Sequence, residues 1–231
     1  MVVGTTLAFV FNLIHPRSSD ALDSTRGELE LVAGSDIWLF DHMMLGVSAA
    51  LILLGLVAFA SSMRGGNGDL WARAALVAGV AGVVVIWITV VVDGMASKEV
   101  ADAWAQSPDD PALLAAGEAV VQISLALFTA VIGASFGVTP IVFGMAILAS
   151  GVYARGFGWV SIAAGGLGFV TAMIQFLAGP SALTAAVLFP IASLSFTFVA
   201  FVLGVQLWRR SEAPAPTAAA APPTPSPAGG A

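Results

Sequence analysis

Asp41 and His42 stand at the entrance of a long apolar run, Met43 to Phe59, and their chemistry contrasts with everything around them. An ionisable group at the edge of a bilayer, or inside it, is expensive and needs a partner or water. Histidine is also the side chain whose charge changes near physiological pH. The stretch Ser35 to Leu45, SDIWLFDHMML, therefore defines the candidate site. His42, Gly46 and Ala50 recur at i, i+4 and i+8, a small-residue stripe that turns His42 toward other helices rather than lipid. Asn12 and His15 share a face at the end of the first apolar run. Thr89 and Asp93 share another, as do Glu118 and Gln122. His15, Asp41, His42, Asp93, Glu118 and Gln122 are thus the candidate ligand- or proton-binding groups, with Gln175 near the same end.

Several chemistries compete for these residues. His15 and His42 would give one bis-imidazole haem, or a divalent metal site completed by carboxylates. They form no spacing motif, and a zinc hydrolase would want two histidines on one helix. A serine nucleophile stays open, but no GxSxG elbow is read in the chain. The lysine of a retinal pump is missing, because Lys98, the one lysine, falls in a polar segment. A proton- or cation-coupled transporter also stays open. The plainer alternative is that Asp93 and Glu118 are wet helix ends and His15 an interfacial residue. No catalytic residue is assigned, and the pattern favours a protein without enzymatic chemistry.

The elements that position these groups are membrane helices. Of 231 residues, 58% are hydrophobic and 10% charged, against about 25% charged in a soluble domain. Runs of about 20 apolar residues are long enough to cross a bilayer, and a backbone in lipid must satisfy its own hydrogen bonds. The runs lack the alternation of an outer-membrane barrel. The zero cysteine count excludes disulfides and thiolate metal sites. No basic patch for nucleic acid is present.

Val2 to Ile14 is short, about 13 residues or roughly 20 Å, and is read as a first span rather than a signal peptide, since no basic residue precedes it. Pro16 to Gly34 is a polar, acidic loop with a short surface helix at Ser24 to Val32. Span two covers Ile37 to Ser62, capped by Ser35 or Asp36. Span three runs from Arg73 to Val92 and ends at Asp93-Gly94, before a polar loop from Met95 to Ala112. Leu113 to Tyr153 is too long for one straight crossing and carries Gly137 and Pro140. Span five is Phe157 to Ala178, with a Gly165-Gly166-Leu167-Gly168 patch suited to close helix contact with a second copy or a membrane partner. Span six is Leu183 to Leu207.

Charge decides the ambiguous segment. If Leu113 to Tyr153 crosses once, Arg64, Arg73, Arg155, Arg209 and Arg210 all share one side, opposite Arg17, Arg26 and Lys98. That satisfies the positive-inside rule with both termini cytoplasmic. The expected fold is an all-α integral membrane bundle of six transmembrane helices over residues 1–210. An Ala/Pro-rich tail over 211–231 cannot bury a core and is expected to be disordered.

The layout resembles a broad set of six-span bacterial integral membrane proteins of unknown function. The residues that carry the likeness are His15-Pro16-Arg17, Trp38-x-x-Asp41-His42, Asp93-Gly94 and Leu207-Trp208-Arg209-Arg210. The resemblance implies a fold and no activity. The resulting reading is a multi-pass protein of a bacterial inner membrane that handles or senses a small solute or ion at an outward-facing Asp/His pocket. A non-catalytic scaffold subunit, or a haem- or metal-binding protein using His15 and His42, are its alternatives.

Overall fold

The computed structural model describes residues 1–16 and 24–212. These form seven helices: α1 Val2–Ile14, α2 Thr25–Ala33, α3 Trp38–Ser61, α4 Asp69–Gln106, α5 Pro111–Ser150, α6 Arg155–Ala178 and α7 Leu183–Ser211. Helices α3 to α7 are each long and apolar enough to cross a membrane. The chain is thus a multi-pass helical membrane protein. The expected first span is α1, which has only 13 residues and packs along α3 and α7. Arg17, Asp20, Asp23 and the tail from 213 onward lie outside the described residues.

Two helices outrun a bilayer. α4 has 38 residues and α5 has 40, or about 60 Å each at 1.5 Å per residue. The loop expected from Met95 to Ala112 is a correction. The chain stays helical to Gln106, because Ala101 and Trp104 bury themselves against α2 and reward the extra turns. Asp93-Gly94 is likewise not a terminus. It lies inside a π-helical turn, Val90–Ala96, within α4. The Leu113 to Tyr153 segment is one helical run, α5, as the charge distribution required.

The π-helical turns in α5 and α7 have an identifiable cause. Proline has no N–H, and its ring clashes with the carbonyl four residues earlier. Pro140 follows a π-helical turn at Ala134–Val138, and Pro190 follows one at Leu183–Leu188. The wider turn makes room for the ring, and the Thr139 hydroxyl donates to the Ala134 carbonyl at 2.9 Å. Ser24 caps α2 by accepting from the Gly27 N–H at 3.0 Å. Neither Ser35 nor Asp36 caps α3, whose cap position is Ile37 with no side-chain bond. The Gly34 and Ser35 N–H groups are instead used to close α2.

The bundle has a different core at each end. Phe59, Phe143, Tyr153 and Phe196 form one aromatic stack, with Phe59 and Phe143 ring centroids 4.1 Å apart. It lies near the end where Tyr153 bonds Ser62, and where Arg210 donates to the Val152 carbonyl at 2.9 Å. Arg64, Arg73 and Arg155 belong to the same end, which joins α3 to α4 and α5 to α6. The opposite end holds a small cap in which Leu29 and Val32 of α2 pack with Trp38, Ala101 and Trp104.

The glycine patch on α6 is used within the chain. A Cβ at Gly165 would meet the Gly137 carbonyl and Ile141, and one at Gly168 would meet the Phe136 carbonyl. These glycines let α6 approach the π-helical turn of α5 backbone to backbone, which removes them from the partner contact expected of the patch. Gly166 has open space at its Cβ position. Gly168→Val should therefore cost about 3 kcal/mol by overpacking and lower the Tm in detergent, while Gly166→Val should leave it unchanged.

Candidate functional site

Trp38, Asp41 and His42 occupy one face of the first turns of α3, at i, i+3 and i+4. All three are buried, Asp41 completely so, with 0% of its surface exposed. The end of α1 brings His15 onto this face. Its Nδ1 lies 2.6 Å from Asp41 Oδ2, a short charge-assisted contact in which the imidazole donates to the carboxylate. The His15 side chain keeps 25% of its surface exposed and so forms the outer wall of the cluster.

His42 is held at both nitrogens. Nδ1 lies 2.9 Å from the Trp38 carbonyl and Nε2 lies 3.1 Å from Asp93 Oδ2. The ring is thereby fixed in orientation between α3 and α4. Trp38 completes the arrangement by donating its Nε1–H to the Asp93 carbonyl at 2.9 Å. The three rings lie against one another, with centroids 4.5 Å apart for Trp38 and His42, 5.1 Å for the two histidines and 5.5 Å for His15 and Trp38.

The π-helical turn of α4 makes this geometry. One inserted residue rotates the following helical face by about 100°, and here the turn places both Asp93 and Gly94 against α3. A Cβ on Gly94 would sit 3.0 Å from His42 Cβ, so the glycine backs the imidazole and helps set its plane. π-helical turns of this kind frequently occur at functional sites.

His15, Asp41, His42 and Asp93, expected from the sequence, do converge. Glu118 and Gln122 do not. Both side chains are exposed on α5, outside this cluster. Gln175 is buried elsewhere and accepts from the Thr129 hydroxyl at 3.1 Å. Thr89 bonds the Val85 carbonyl of its own helix rather than Asp93.

Glu28 was not anticipated. It lies on α2, next to Leu29 of the cap core, and its electrostatic neighbours are Asp93 and His42. Burial and the Asp93 charge push its carboxyl up to about 7, against the opposing pull of His42. The available signal was the amphipathic pattern of α2, which shows that the helix docks but not where. Lys98 fixes that docking. Its Nζ donates to the Val32 and Ala33 carbonyls at the α2 C-terminus, at 3.2 and 3.0 Å, and to Asp102 at 2.9 Å. A cation there satisfies carbonyls the helix leaves unpaired and complements its dipole.

Two proposed chemistries can be tested on the geometry. Two histidines that share one haem iron point ring nitrogens at each other across the porphyrin plane. Here His15 Nδ1 points at Asp41, the His42 nitrogens point at Trp38 and Asp93, and the rings touch edge to face. A single metal ion is a closer match, since one ligand atom each from His15, Asp41 and His42 lies within 4.8 Å of the others. The GxSxG spacing read as absent is a correction: it occurs as Gly133-Ala134-Ser135-Phe136-Gly137, but it is helical throughout, and the hydroxyl of half-buried Ser135 is enclosed without a hydrogen-bond partner. A serine nucleophile needs an exposed turn and an adjacent base.

No family model, curated protein or solved structure matches the chain.

Glu28 binds its proton more tightly in the folded state than in the unfolded one. It therefore favours the docked fold at low pH, and that contribution is lost as pH rises from the ordinary glutamate range through about 7. Between about pH 5 and pH 8 wild type should lose up to about 3 kcal/mol through this group. Glu28→Gln should lack that decline when Tm is followed against pH.

Proposed function

We propose that this chain is a six-span bacterial inner-membrane protein that binds a small cation on its extracytoplasmic side, in order to handle or sense it. The observation that carries the reading is Asp41. Its carboxylate is fully buried, one oxygen meets His15, and the other, Oδ1, has no hydrogen-bond partner. Burying an ion costs several kcal/mol unless it is compensated, and an orphaned carboxylate oxygen among two imidazoles is a position built for positive charge.

The orientation rests on charge. Arg64, Arg73, Arg155, Arg209 and Arg210 belong to the end opposite the cluster, while Arg26 and Lys98 share the cluster's end with Glu28, Glu30, Asp36, Glu99, Asp102, Asp109 and Asp110. The positive-inside rule puts the arginine-rich end in the cytoplasm and the cluster outside. α1 supports a sixth crossing by packing against α3 and α7, and six crossings agree with the layout of the six-span bacterial proteins that the sequence resembles.

A cytoplasm-active reporter fused after Arg210 should be active, and one inserted after Ser107 inactive. The reverse pattern would overturn the orientation. In the purified protein, at least one small cation should raise the Tm of wild type. Asp41→Asn, which preserves shape and a hydrogen-bond acceptor for His15, should insert and accumulate normally yet lose that response.

A further inference from the structure

We propose that the cation is a divalent transition metal of the zinc class, ligated by His15, Asp41 and His42. This assignment rests on the reading of the cluster as a cation site and deepens it. Calcium takes six to eight oxygen ligands, and magnesium demands an octahedron of oxygens. The cluster offers two imidazoles and one carboxylate, a donor set that suits zinc, iron, cobalt or nickel.

The fit extends beyond the three ligands. Asp41 Oδ2 lies 2.6 Å from His15 Nδ1 and 4.0 Å from His42 Nδ1, and one ligand atom from each residue lies within 4.8 Å of the others. Asp41 Oδ1 is buried beside it and unpartnered. A ligating histidine almost always gives its other N–H to a carboxylate or carbonyl, which orients the ring and raises its basicity. His42 has that partner in Asp93, at 3.1 Å from Nε2, and Asp93 is itself tethered through its carbonyl to Trp38 Nε1. Gly94 packs against the same ring.

A metal ion takes each histidine as a neutral imidazole with Nδ1 free, so His15 carries its proton on Nε2, His42 carries its proton on Nε2 toward Asp93, and any second proton on either ring leaves to solvent. His15 at 25% and Asp93 at 28% side-chain exposure give the ion a way in from the water side. Three protein ligands leave a coordination position for water or a bound solute, as in catalytic rather than structural zinc sites.

The test uses the whole chain purified in detergent without a polyhistidine tag, stripped by chelator and titrated with Co²⁺ and then Zn²⁺. One Co²⁺ per chain should bind, with visible d–d bands that Zn²⁺ abolishes. Asp41→Asn and His15→Gln should weaken binding at least tenfold. Asp93→Asn should weaken it by about 10- to 100-fold, and Glu118→Gln should not change it. Absence of stoichiometric Co²⁺ and Zn²⁺ binding by folded wild type overturns the assignment, whatever the variants do. Binding that survives both Asp41→Asn and His15→Gln also overturns it. If Na⁺, Ca²⁺ or acidification instead stabilises wild type in an Asp41-dependent way, the metal assignment falls and the cation site stands. If no cation does, both fall.

Discussion

The burial of the Asp41 carboxylate is the constraint from which the site follows. An anion removed from water in the first turns of an apolar helix must be answered by nearby positive charge or hydrogen bonds. One oxygen is answered by His15, which requires the short α1 to lie along α3 and end at the right depth. Docking of α1 and charge compensation of Asp41 are thus one arrangement. Trp38 and His42, on the same face of α3, enclose the carboxylate and exclude lipid from it.

The second imidazole is positioned by a departure from regular helix. In an uninterrupted α4 the carboxylate of Asp93 would fall on a different face. The π-helical turn at Val90–Ala96 gives up ideal backbone geometry and in return aims Asp93 at His42 and lets Gly94 touch its ring. Similar turns precede Pro140 and Pro190, where they relieve proline sterics. Among the π-helical turns of the described residues, the one at Val90–Ala96 has no following proline to explain it, and the Asp93–His42 contact is its physical rationale.

Outside the membrane helices, α2 and the extension of α4 make a small hydrophobic cap beside the cluster. Lys98 ties the two together through the carbonyls at the end of α2. Glu28 is carried in by the same docking, and its burial, with the Asp93 charge as the second cause, holds its proton to about 7. The arginine-rich end has a different construction, with an aromatic stack and the Arg210 guanidinium 4.7 Å over the Tyr153 ring. The two ends are therefore chemically distinct: one is fastened by packing and cation–π contact, the other arranged around titratable groups.

Hydropathy and charge are properties of short stretches, so the sequence by itself determined the membrane class, the long apolar helices, the gathering of Arg64, Arg73, Arg155, Arg209 and Arg210 at one end and the exceptional position of Asp41 and His42. The single continuous α5 was also legible, because charge placement depends only on how many times the chain crosses. What lay beyond reach was anything that depends on which helix faces which. Glu118 and Gln122 share a helical face just as Asp41 and His42 share theirs, yet they are exposed, since periodicity defines a face without naming its neighbour. The π-helical turn that brings Asp93 in, the α2 docking that brings Glu28 in and the use of Gly165 and Gly168 against α5 were decided only by tertiary packing. A one-residue change of helical register, or a glycine's few ångströms of approach, leaves no trace in local composition but redirects every side chain that follows.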